Sequence, residues 1–230
     1  MKRKMLCAAL CAAVILSAGL VTAPPAPAAS DAEEAQALVD KSQITFNSFM
    51  KDKEYSYLHE TLAKAKGIVI YPQVLKAGFI FGGSGGNGVL FLRDTDRKDW
   101  SGPAFYTMGS VTFGLQIGGE AAEVVMLVMT QKAVDTLYSN SMKLGADASI
   151  AAGPVGTGAK ANIVADFISF ARSKGAYAGL NLEGSVLDVR DSLNKAYYGK
   201  DVRPVDILAK RAVSNPGAMG LRDDLQKASK

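Results

Sequence analysis

Apolar and polar positions are most strongly patterned between residues 65 and 94, AKGIVIYPQVLKAGFIFGGSGGNGVLFLRD. Residues 67–70, 77–81 and 89–92 are apolar runs rich in valine, isoleucine and phenylalanine, side chains that suit a pleated, half-buried surface. Five of the seven residues in 82–88 are glycine, a composition that permits positive φ and points to a glycine-hinged β-hairpin. In 111–117 the pattern alternates, Val111, Phe113, Leu115 and Ile117 against Thr112, Gly114 and Gln116, which predicts a half-buried strand. Gly118-Gly119-Glu120 reads as a turn, and the unbroken apolar run 124–129 as a strand buried on both faces.

Helical signals flank these strands. Ser30 and Glu33 have capping-box spacing and open a helix reaching about Lys51. Its apolar stripe is Ala35, Leu38, Val39, Phe46, Phe49 and Met50, with Ser42 falling on the stripe. A shorter helix follows over about 55–64, and Thr130 caps another bearing Val134, Leu137 and Tyr138. Residues 145–158 read as a strand pair or a loop, and 162–173 with 176–187 as a hairpin around Ser173-Lys174-Gly175. A helix over about 188–198 ends at Gly199, and Pro204 opens a short helix. The polar tail from Asn215 is expected to fray. Together these elements predict one α+β domain, a strongly curved glycine-rich antiparallel sheet or partial barrel flanked by helices.

Composition changes this picture at the N-terminus. Residues 1–28 have a basic start, Lys2-Arg3-Lys4, an apolar run over 5–21 and an Ala26-Pro27-Ala28 cleavage pattern, so they read as a secretory signal. The mature domain is then 29–230, exported to the periplasm or the exterior, and an uncleaved anchor is the alternative. Of the 26 basic residues three lie in that signal; the remaining 23 face 22 acids, a net +1 that is weak evidence for a nucleic-acid or a membrane partner. Both cysteines, Cys7 and Cys11, also fall in the signal, so the mature chain is without disulfides, thiolate metal sites and cysteine catalysis.

Candidate chemistry is thin. Residues 83–88 spell G-x-G-x-x-G, but a strand follows where a dinucleotide site needs a helix. Residues 82–86 spell G-x-S-x-G, but the only histidine, His59, lies upstream on a helix, against the order of a nucleophile elbow. Asp94, Asp96 and Asp99 are interleaved with Arg93, Arg97 and Lys98 and read as a solvated turn rather than a metal loop. Trp100 reads as a core or corner residue, with a ligand pocket as the alternative. Lys51, Lys53, Lys64, Lys66 and Lys76, among Phe46, Phe49, Tyr55 and Tyr57, form a basic, aromatic stretch that suits an anionic lipid surface or a solvated helix face.

An ordered series of segments carries a resemblance: AKGIVIYP at 65–72, KAGFIFGGSGGNGVLFLRD at 76–94, WSGPAFY at 100–106, GSVTFGLQIGGE at 109–120, GADASIAAGPVG at 145–156, SKGAYAGLNLEGSVL at 173–187 and NKAYYGKDV at 194–202. In that order and spacing they resemble the SYLF-domain family, also called the Ysc84 actin-binding domain family. The resemblance implies a lipid-binding module, not an enzyme, without cofactor or metal. Its expected partner is anionic phospholipid or a phosphoinositide-like headgroup, met peripherally at a bacterial envelope through the five lysines. Actin, a partner of some eukaryotic members, is a poor expected partner for an exported chain. An envelope protein-interaction module and a soluble carrier with a lipid inside the curved sheet are the alternatives, with a Ser84 hydrolase behind them.

Overall fold

The computed structural model describes residues 30–78, 81–94, 96–113, 118–173, 176–177 and 182–230. Helix α1 (Asp31–Lys51) starts at the expected capping box: the Glu33 amide donates to Ser30 Oγ, and the Ser30 amide donates to the Glu33 carboxylate. A turn of 3-10 helix leads into α2 (Ser56–Leu62). Four long strands follow, β1 (Gly67–Gly78), β2 (Phe81–Asp94), β3 (Asp99–Phe113) and β4 (Gly118–Val128). After α3 (Gln131–Leu137) come the short strands β5 (Ser141–Lys143), β6 (Ile150–Ala152), β7 (Phe167–Ser173), β8 (Ala176–Tyr177) and β9 (Val186–Val189). The described chain ends with α4 (Asp191–Tyr198), α5 (Pro204–Leu208) and α6 (Met219–Ala228).

The strands form one sheet in the order β5-β9-β3-β2-β1-β4-β7-β6, with β8 on β7. Every pairing is antiparallel except β6 with β7. The sheet curves strongly into a half-barrel within a single α+β domain, as the residue pattern predicts. Alternation along β1 divides the core. Ile68 and Ile70 join Val89, Phe91 and Phe105 under α1, α2, α4 and α6. Val69 and Tyr71 join Leu90, Tyr106, Met126 and Leu187 on the other face, closed by α3 and α5.

Three expectations are corrected. The glycine block 82–88 is not the hinge of a hairpin but the body of β2, paired with β3 throughout and with β1 over 82–85, and none of its glycines has positive φ. What it answers is crowding. The β1 register shifts around Pro72 and Gln73, pushing β1 onto its neighbour. A Cβ on Gly86 would stand 2.2 Å from the Gln73 carbonyl oxygen, and one on Gly88 2.5 Å from the Tyr71 ring. Second, Gly118-Gly119-Glu120 belongs to β4, and the neighbouring span 114–117 lies outside the described residues. Of the expected hairpin arm 176–187, Ala176 and Tyr177 pair with β7, 178–181 lie outside the described residues, and Val186 and Leu187 pair instead with β3 and β5. Third, the tail does not fray: Ala218, Leu221 and Leu225 are fully buried against α1 and the sheet. The Trp100 indole nitrogen donates to Ser229 Oγ at 3.3 Å, and β3 begins at Asp99, well before the expected strand start at Val111.

Other expectations hold. Gly199 closes α4 at φ 72°, Thr130 caps α3 through the Ala133 amide, and Pro204 opens α5. Ser42, anomalous on the α1 stripe, is buried and donates to the Leu38 carbonyl. Residues 145–158 hold only the short strand β6 within irregular chain.

Candidate functional site

Helix α1 lies across the sheet rather than along it. Near its start Asn87 of β2 donates to Glu34 at 3.2 Å. Further along, Thr45 donates to Glu123 of β4 at 3.1 Å, and near its end Arg172 of β7 donates to Ser48 at 2.7 Å. Arg172 is held there by Glu123, by Asp52 at 3.8 Å and by the Phe49 ring beneath it, 4.9 Å away. Below this crossing the sheet is covered by packed side chains. Beyond it β1, β2, β3 and β4 run on together as a four-stranded arm.

The register gives the arm two unlike faces. Leu75, Gly85, Gly109 and Ala121 share one row, and Gly83 and Val111 the row beyond. Lys76, Ser84, Ser110 and Glu120 share a row on the opposite face, where the Ser84 and Ser110 hydroxyls bond each other at 2.7 Å. The apolar face meets α1 at an angle, leaving a groove of about 840 Å³ beside Leu38, Lys41, Leu75 and Gly85. A second groove of about 380 Å³ continues it past Ile44 and Ala121, and Lys41, Pro72 and Gln73 line both. Three large apolar side chains of this region stand in solvent: Ile44 is 69% exposed, Leu75 56% and Val111 74%. Val111 was expected on a covered face; among the described residues no helix covers it.

The five lysines singled out by the sequence do not converge. Lys51 and Lys53 sit at the exposed end of α1 beside β7. Lys64 and Lys66 lie at the start of β1, the Lys66 amide donating to Val128 and its carbonyl accepting from Arg93. Lys76 lies ten residues further along β1 than Lys66, about 30 Å at the rise of a strand, on the polar face of the arm. Among the described residues none of the five takes part in an ion pair. Lys41 and Ile44 were missed; the available signal was Ile44 itself, an apolar residue off the buried stripe of α1.

The other candidates find structural partners. His59 Nε2 lies 2.9 Å from the Phe49 carbonyl, and Ser84 meets a second serine rather than a base. Among the described residues no group of three or more His, Cys, Asp and Glu side chains stands together as a metal site. Asp166 is instead a structural hub. It accepts from Thr130 Oγ1 and from the Ser149 amide and hydroxyl, joining α3 to β6 and β7. Burial alone would raise its carboxyl, but these hydrogen bonds and Lys132 outweigh that and hold it below the ordinary range.

The fold is thus a half-barrel with both faces packed and one uncovered arm. The chain belongs to the Ysc84 family: residues 109–228 match the family described as Las17-binding protein actin regulator. It is 38% identical over 164 residues to an SH3 domain-containing protein of Schizosaccharomyces pombe, covering 68% of this chain and 37% of that one. It is 34% identical over 152 residues to human SH3 domain-containing YSC84-like protein 1, covering 64% and 44%. It is 35% identical over 159 residues to LAS seventeen-binding protein 3 of Saccharomyces cerevisiae, covering 66% and 34%. The chain spans less than half the length of each of these relatives.

Proposed function

We propose that this chain is a non-enzymatic module that binds anionic phospholipid surfaces peripherally, as an exported protein of a bacterial envelope. The observation that carries this reading is the exposure of Ile44 and Leu75 beside the grooves between α1 and the arm, with Val111 exposed one row further along the same face of the arm. The arm enters the headgroup layer edge-on and α1 rests on the surface as a shoulder. Inserting three such side chains yields a few kcal/mol, at about 25 cal/mol per Å² of apolar area removed from water. Lys41 on the shoulder and Lys76 on the arm each add about 1 kcal/mol near an anionic leaflet. Both faces of the sheet below the arm are filled by side chains, which favours a surface site over a lipid enclosed in the half-barrel. The export component rests on the basic, apolar and small-residue order of residues 1–28.

The test is cosedimentation of residues 29–230 with neutral and anionic vesicles, wild type against a Leu75→Ser, Val111→Ser double variant. Binding to anionic vesicles should weaken by ten- to a hundredfold in the variant, about 1.4 kcal/mol per factor of ten. Equal binding of both proteins, or none by either, overturns the reading. Because the matched family is described by Las17 binding and actin regulation, filamentous actin belongs in the same assay. Pelleting with actin and not with vesicles would replace lipid by a protein partner.

A further inference from the structure

The two grooves between α1 and the arm form one trough, since Lys41, Pro72 and Gln73 line both. It follows α1 from Glu33 to Thr45, about 18 Å at 1.5 Å per residue. Helical spacing of i, i+4 and i+7 brings Ala37, Lys41 and Ile44 to the α1 side of it. The sheet side is built from short residues, Gly85 toward β2 and Ala121 and Ala122 toward β4, and these leave the room that longer side chains would take. Leu38 and Leu75 are the larger apolar groups of the wider part, and Ile44 of the narrower.

Of the charged side chains lining the trough, all but one are matched. Glu33 accepts from the Ser30 amide and hydroxyl. Glu34 accepts from Asn87 and lies 3.8 Å from Arg190. Glu123 accepts from Thr45 and from Arg172, whose guanidinium also lies 3.8 Å from Asp52. Lys41, at the junction of the two grooves, makes no ion pair among the described residues. An occupant that complements this lining is apolar along its length and carries one negative charge. The carboxylates at both ends repel an anion, so its place is the middle, where the long stem of Lys41 lets the ammonium follow it. A doubly charged head would set its second charge toward Glu34 or Glu123 rather than toward a free cation.

We propose that this trough binds a free long-chain fatty acid, its carboxylate on Lys41 and its alkyl chain along Leu38, Leu75 and Ile44. The inference rests on the lipid reading of the same site and narrows it to a single acyl chain, laid outside the sheet and held without a membrane. The experiment is calorimetry of residues 29–230 with laurate below its aggregation concentration, in the absence of vesicles. Butyrate has the head without the tail, octanoate a shorter tail, and dodecyltrimethylammonium the same tail with a positive head. Native mass spectrometry counts the chains bound. Lys41→Gln removes the charge, and Ala37→Phe fills the trough from an exposed helix position that the fold does not need. Val111→Ser is the control, since Val111 is not part of the lining.

A single laurate should bind, about tenfold or more tighter than octanoate because each buried methylene adds to affinity, with butyrate silent. Binding should weaken by about fivefold in Lys41→Gln, by about tenfold or more in Ala37→Phe, and stay within about twofold in Val111→Ser. No saturable binding of laurate, or equal affinity in wild type, Lys41→Gln and Ala37→Phe, overturns the site; the wild-type titration decides even if one variant folds poorly. Dodecyltrimethylammonium binding as tightly as laurate overturns the assignment of an anionic head. A dimer in sedimentation with no laurate response puts a second copy in the trough and overturns the ligand. The two readings fail separately: vesicle pelleting without laurate binding removes only the fatty acid, and laurate binding without pelleting removes only the membrane.

Discussion

At Gly86 the Gln73 carbonyl oxygen stands where a side chain would begin, 2.2 Å from an added Cβ, and Val74 Cα is 3.1 Å away. Both are backbone atoms of a strand fixed on its other side by β4, so neither can yield cheaply. Gly86→Ala should therefore cost at least about 2 kcal/mol in a denaturant titration, toward the upper range of overpacking. Gly109 is the internal control: nothing lies within 4 Å of its Cβ position. Gly109→Ala should be neutral or stabilising by about 0.5 kcal/mol, since only unfolded-state entropy changes. At Asp166 the prediction concerns pH. Its folded carboxyl titrates below the unfolded value, so its contribution is complete above about pH 4 and is lost as pH falls through the folded value. Asp166→Asn should lower stability near neutrality by about 1–3 kcal/mol and flatten the acid limb of the stability profile. An unchanged acid limb would show that other carboxylates govern acid unfolding.

Among the elements, α6 tests how far the core depends on the end of the described chain. Ala218, Leu221 and Leu225 are buried, and Ser229 accepts the Trp100 indole N–H. Ending the chain at Ser214 strips that cover. At about 1.5–3 kcal/mol per fully buried leucine the loss is about 4 kcal/mol, against a typical total of 5–15. The truncated protein should melt well below wild type with red-shifted Trp100 emission; unchanged melting would make α6 a dispensable flap. The sequence misleads here because the α6 stripe is narrow, two leucines and an alanine among charges. Capping signals are legible because they are local: Ser30, Thr130, Gly199 and Pro204 each act within one turn. The glycine block is not, because a turn and a crowded strand demand the same residues. Only the bulge on β1, a tertiary feature, separates them. The curved antiparallel sheet was legible from its alternating runs. The candidate site was not, since Leu75 and Val111 share a face only through the register of the arm, and Ile44 is brought beside it only once α1 crosses the sheet.

At the scale of the whole molecule, geometry limits which charges can act together. Lys66 and Lys76 are separated by about 30 Å along β1, several times the ~8 Å Debye length at physiological salt. A bilayer that receives the arm lies beyond Lys76 and cannot also touch Lys64 and Lys66 at the other end of the sheet. Lys51 and Lys53 lie off to the β7 side. Electrostatic attraction then comes from Lys41 and Lys76, and Lys76 shares its row with Glu120, so the charge contribution is modest beside the apolar one. Reversing both lysines, Lys41→Glu with Lys76→Glu, should weaken binding to anionic vesicles by about tenfold or more, given about 1 kcal/mol per charge near the surface. Lys64→Glu with Lys66→Glu should leave it within about twofold. Raising salt should weaken wild-type binding only modestly, because the apolar component is not screened. If reversal at Lys64 and Lys66 is the damaging pair instead, the membrane lies at the opposite end of the sheet and the uncovered arm is available to a protein partner.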